Sequence, residues 1–95
     1  MRRFSYTINS ENGIHARPAG VLVKAGSQFK SDIILYKGEK HANAKSLFSV
    51  MGLGVKDGER IDIEISGEDE DSASENIEEV LQNYFRAVKA EETLA

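Results

Sequence analysis

The chain has 95 residues, of which 40% are hydrophobic and 29% charged, the size and mixture of one small globular domain, 1–95, with no room for a multi-domain enzyme. Asp and Glu number 16 against 12 Lys and Arg, for a net charge of −4, a balance that disfavours nucleic acid and anionic membranes as partners. There is no cysteine, which removes disulfides, thiolate nucleophiles and cysteine-ligated zinc and fits a cytoplasmic protein.

Phe4, Tyr6 and Ile8 alternate with Arg3, Ser5 and Thr7, the period of a half-buried first strand. This pattern also differs from the apolar region of a secretory signal, and no stretch nears the roughly 18 apolar residues of a membrane-spanning helix. Asn9 to Gly13 reads as a loop. From Ala16 the pattern changes to Ala19, Leu22, Val23 and Gly26, extended by Phe29, which is the stripe of an amphipathic helix. Pro18, the one proline, is tolerated only in a first turn, so the helix starts just after His15.

Asp32 to Tyr36 and Lys40 to Ala44 read as strands joined by the turn Lys37-Gly38-Glu39. Ser46 precedes Leu47, Val50 and Met51 as the N-cap of a short helix that Gly52 and Gly54 end. Arg60 to Ser66 sets Ile61, Ile63 and Ile65 against Asp62 and Glu64 in strict alternation. Gly67 to Asp71 reads as a solvated acidic turn, Ser72 with Glu75 as a capping box, and Ile77, Val80, Leu81, Tyr84 and Val88 as the stripe of a long last helix. Residues 90–95 read as a frayed tail. The order βαββαβα predicts an α+β fold, an open-faced β-sandwich: a four-stranded antiparallel sheet with three helices on one face and water on the other.

The chemistry concentrates at His15 and Arg17. An anion held there meets the unpaired N–H groups at the start of a helix, the positive end of its dipole and a guanidinium. Imidazole, with an ordinary pKa near 6.5, is neutral and nucleophilic in useful amount at cellular pH and can accept a phosphoryl group as well as bind one. A His-x-Arg pair also fits a polar loop residue, and no partner for a hydrolytic triad stands out beside it. His41 reads as a solvent-facing strand residue, and two isolated histidines do not make a zinc site. Gly52, Gly54 and Gly58 miss the dinucleotide-binding spacing. Glu68 to Asp71 lacks the ligand spacing of a calcium loop. No metal or cofactor is expected. Ser46 is both a cap and a hydroxyl open to a kinase, whose phosphate would lie at the positive end of the helix.

Asn12-Gly13-Ile14-His15-Ala16-Arg17-Pro18-Ala19, followed by Ala44-Lys45-Ser46-Leu47-Phe48 and Met51-Gly52-Leu53-Gly54-Val55, closely resembles the HPr family, the histidine-containing phosphocarriers of the bacterial phosphoenolpyruvate-dependent phosphotransferase system. The resemblance spans nearly the whole chain. It implies a carrier and not an enzyme: Nδ1 of His15 takes a phosphoryl group from enzyme I and passes it to IIA components of sugar permeases. Arg17 would stabilise the phosphoryl charge and Pro18 would set the helix start. Ser46 matches the serine modified by an HPr kinase/phosphorylase, and Leu47, Phe48 and Met51 match the apolar surface offered to a transcriptional regulator of carbon catabolite repression. The resemblance further implies a cytoplasmic monomer with no membrane insertion. Gly20, Ser49 and the long tail after Val88 depart from the family pattern. The alternative is a regulatory module of the same fold, acting through Ser46 without phosphotransfer. Such a module has no need of a phosphorylatable imidazole at position 15.

Overall fold

The computed structural model describes residues 1–9, 16–84 and 88–89. Strand β1 (Arg2–Thr7) is followed by helix α1 (Ala16–Gly26), strands β2 (Asp32–Lys37) and β3 (Lys40–Asn43), helix α2 (Leu47–Gly52), strand β4 (Arg60–Ser66), helix α3 (Glu70–Tyr84) and a two-residue strand β5 (Val88–Lys89). The sheet order is β3-β2-β4-β1-β5 and every pairing is antiparallel. The expected four-stranded antiparallel sheet and three helices are present, and β5 adds a short fifth strand at the outer edge of β1.

Alternation decides the two faces. Ile61, Ile63 and Ile65 of β4 lie opposite Tyr6, Phe4 and Arg2 of β1, and Ile63 and Ile65 lie opposite Leu35 and Ile33 of β2. This face is buried against Leu22 of α1, Val50 of α2 and Ile77 and Leu81 of α3. The Tyr6 hydroxyl donates to Oε1 of Glu78 at 2.8 Å, and burial with that carboxylate pushes the phenol well above its ordinary pKa. The other face is polar: Ser5 donates to Asp62, Arg60 donates to Ser5 at 2.9 Å, and Arg3 pairs with Glu64 at 3.0 Å. His41 is exposed on β3, its ring centroid 6.2 Å from that of Tyr36.

Four local expectations need correction. α1 ends at Gly26, so Phe29 is a loop residue packed against the core rather than a further turn of the stripe. α3 begins at Glu70, which places Ser72 inside the helix, where it is no N-cap. The Asp69 carbonyl accepts the first backbone bond, from Ala73 at 2.9 Å. Val88 belongs to β5 and not to α3, which stops at Tyr84. The acidic turn is also more than a solvated bend, because Asp69 binds the loop before β2. Residues 10–15 and the tail 90–95 lie outside the described residues.

Candidate functional site

The first turn of α1 is Ala16-Arg17-Pro18-Ala19, and His15, which directly precedes it in the sequence, lies outside the described residues. Pro18 is buried and Ala19 is in the core, so the start of the helix is fastened to the domain. Arg17 is exposed and has no hydrogen bond or ion pair to another described residue. The first turn has no acidic side chain. A cation at the positive end of a helix costs roughly 0.3–1 kcal/mol in its own dipole, an arrangement that an anion bound beside it reverses. Lys24, seven positions on, is also exposed and falls on the same side of α1. Sequence reasoning did not single it out, although the spacing carries the signal.

α2 packs against α1. Ser46 caps α2: its backbone is extended, at φ −117° and ψ 113°, and its carbonyl accepts from the N–H of Val50 at 3.0 Å. The Ser46 hydroxyl accepts from the N–H of Ser49 at 3.4 Å, a long bond that leaves the oxygen weakly engaged. Val50 is the buried anchor of the helix. Phe48 is 88% exposed, Met51 40% and Leu47 37%, so a six-residue helix turns three large apolar side chains to water. Such clustering is more than the scattered single apolar side chains of an ordinary surface.

The charge is segregated along the same lines. Residues 16–31 and 40–56 contain no Asp or Glu. α3 carries Glu70, Asp71, Glu75, Glu78 and Glu79 and no Lys or Arg. The domain is therefore acidic on average while its α1 and α2 side is cationic and apolar. A shallow cleft of about 430 Å³ opens between the β2–β3 turn and α2, lined by Glu39, Lys40, His41, Ser49, Gly52 and Leu53. Its charges are mixed, and it meets the carbonyl end of α2, which disfavours an anion. Among the described residues no group of three His, Asp or Glu side chains could hold a metal ion, and no helix is long and apolar enough to cross a membrane.

The family model described as the PTS HPr component phosphorylation site matches residues 2–83. The phosphocarrier protein HPr of Mycoplasma capricolum is 41% identical over 81 residues, covering 85% of this chain and 91% of that protein. A solved Mycoplasma histidine-containing phosphocarrier protein superposes with a TM-score of 0.84 at 39% identity, covering 86% of this chain and 93% of that one. HPr-C-His from Thermoanaerobacter tengcongensis gives a TM-score of 0.84 at 34% identity, covering 90% and 97%. The chain belongs to the HPr family of phosphocarrier proteins of the phosphotransferase system.

Proposed function

We propose that the chain carries a phosphoryl group on Nδ1 of His15, accepting it from phosphorylated enzyme I and delivering it to IIA components of sugar permeases. The observation that carries this reading is the start of α1: a fastened first turn with an exposed Arg17 that has no partner among the described residues, preceded in the sequence by His15. In the accepting step the Nδ1 lone pair forms the N–P bond as the donor's bond to phosphorus breaks, while Nε2 keeps its proton. Delivery is the same exchange with the acceptor nucleophile attacking phosphorus. Arg17 and the free N–H groups of the first turn hold the phosphoryl oxygens in both steps. Pro18 fixes the helix start, and the protein supplies no turnover of its own.

The cationic and apolar side formed by α1 and α2 suits acidic partners, with Leu47, Phe48 and Met51 as apolar contacts. Ser46 is the regulatory position, modified by an HPr kinase/phosphorylase and then read by a regulator of catabolite repression on the same short helix. A module acting through Ser46 alone leaves an imidazole at position 15 unexplained. Incubation with phosphoenolpyruvate and enzyme I should place an acid-labile, alkali-stable phosphate on His15. Label on His41, or no label on folded protein, overturns the assignment.

A further inference from the structure

The connection from β3 to α2 carries Ser46, and the fold ties it down at several points. The Ala44 N–H donates to the Ile33 carbonyl at 2.9 Å, and Ala44 is fully buried. Asn43 folds back over the next turn: its Oδ1 accepts from the Lys45 N–H at 2.9 Å, and its own carbonyl accepts from the Ser46 N–H at 3.0 Å. An asparagine side chain that bonds the backbone two residues on fixes a turn by itself. Three successive backbone donors, those of Ala44, Lys45 and Ser46, are thereby engaged inside the domain.

A further tie reaches across the fold. Lys45 is half-buried, and its Nζ donates to the Phe29 carbonyl at 2.8 Å. Phe29 lies just past the end of α1 and packs against the core. Gly26, the last residue of α1, closes on the same connection, since a Cβ there would meet the Ala44 carbonyl oxygen at 3.7 Å. The Lys45 ammonium is thus turned inward against the end of α1, whereas Lys24 and Lys40 are exposed. What these ties hold in place is the Ser46 hydroxyl, which accepts from the Ser49 N–H and donates to no described residue. Residues 44–46 cannot be drawn out as an extended peptide into an enzyme's cleft without breaking the bonds of all three N–H groups.

We propose that Asn43 and Lys45 are positioning residues for phosphorylation of Ser46, holding the serine so that an ATP-dependent kinase takes the folded start of α2, and not an unfolded strand, as its substrate. The proposal rests on the reading of Ser46 as the regulatory position. In the step itself Oγ of Ser46 forms a bond to the γ-phosphorus of ATP as the bond from that phosphorus to the bridging oxygen breaks. ADP leaves, and the hydroxyl proton passes to a base of the kinase. Phosphoryl transfer depends on placing the nucleophile in line with the leaving group, and a misplacement of about 1 Å costs on the order of 100-fold in rate. Asn43 and Lys45 act on that placement through the backbone of residues 45 and 46.

Steady-state phosphorylation of the full chain by HPr kinase/phosphorylase and ATP separates placement from direct contact. Asn43→Ala and Lys45→Met should each lower kcat by about tenfold or more, with KM within about twofold of wild type. Asn43→Asp keeps an acceptor for the Lys45 N–H and Lys45→Arg keeps a donor for the Phe29 carbonyl, so both should recover most of the rate. A raised KM at unchanged kcat overturns the proposal, because Lys45 is then a charge that the kinase reads directly. Amide exchange in the alanine and methionine variants should quicken at Ser46 and Val50 while β4 keeps its wild-type rates, and acceleration throughout the domain overturns the proposal in favour of a role in overall stability. If the wild type takes phosphate on Ser46 and the variants match it, this proposal alone falls. If the wild type takes none there, the regulatory reading of Ser46 falls with it.

Discussion

The carboxylate of Asp69 holds the loop that leads into β2, accepting from the N–H groups of Lys30 and Ser31, each at 2.9 Å, and from the Ser31 hydroxyl. Ser31 is almost fully buried. The hydroxyl first, then the Lys30 N–H, hold Asp69 down to a pKa of about 2. A carboxylate whose folded pKa lies below its unfolded value of about 4 adds stability above that value, and loses it as pH falls through the folded one. Melting temperature should therefore fall from pH 4 to pH 2 more steeply in the wild type than in Asp69→Ala. Glu59, lowered chiefly by Lys37, and Glu70, lowered chiefly by the N-terminal ammonium, act in the same sense in both proteins. The difference between the two curves isolates Asp69, and parallel curves would refute the assignment.

Two glycines should respond to alanine with opposite signs. A Cβ on Gly67 would come within 2.5 Å of Oγ and 2.6 Å of Cα of Ser31, in the same latch. Gly67→Ala should cost about 1–3 kcal/mol, the usual range for overpacking. A Cβ on Gly20 in α1 meets nothing within 4 Å. Gly20→Ala should add about 0.5–1 kcal/mol by removing the helix penalty of glycine. Denaturant melts of the two variants check both signs.

Arg17→Ala should leave the fold intact and raise stability slightly, because an exposed cation leaves the positive end of α1. Phosphoryl transfer from enzyme I should slow by roughly 10- to 100-fold, the worth of a charge-assisted hydrogen bond. Stopped-time labelling with the variant measures this, and an unchanged rate would assign the anion to the backbone N–H groups alone.

How much of this was legible beforehand varied with the range of the interaction. Ile61, Ile63 and Ile65 announced β4 because a strand buried on one face repeats every second residue, and Ser46 announced α2 because capping is local. The Asp69 latch spans 38 residues to Ser31 and has no local pattern. Ser72 with Glu75 imitated a cap that tertiary contacts moved forward to Asp69 and Glu70. Val88 falls at helical spacing after Tyr84, yet pairing with Thr7 draws it into the sheet. At the site, the motif around His15 and Arg17 was plain in the sequence. The lack of a partner for Arg17 among the described residues and the packing that brings the acid-free helices α1 and α2 together required the folded chain.

Ser46→Asp should slow phosphorylation of His15 without unfolding the domain. The added charge lies at the positive end of α2, so the melting temperature should hold or rise slightly. The same charge, on a side where α1 and α2 carry no Asp or Glu, opposes an acidic partner. The loss of rate should soften as salt is raised, since repulsion across exposed surface is screened beyond roughly 10 Å at 0.1 M. Transfer at the wild-type rate would remove Ser46 from regulation, and a large fall in melting temperature would make it a cap alone.

The position of β1 in the sheet also bears on how the chain is made. Residues 2–7 are synthesised well before their neighbours, residues 60–65 on one side and 88–89 on the other. The β2–β3 hairpin can close as soon as it emerges, because its partners are adjacent in sequence. Phe4, Tyr6 and Ile8 must wait until β4 has been translated before they have a face to cover. The nascent chain thus exposes its aromatic strand β1 while α1, β2, β3 and α2 are made, and the sheet closes only after β4 has followed, with the slow search expected of distant pairings.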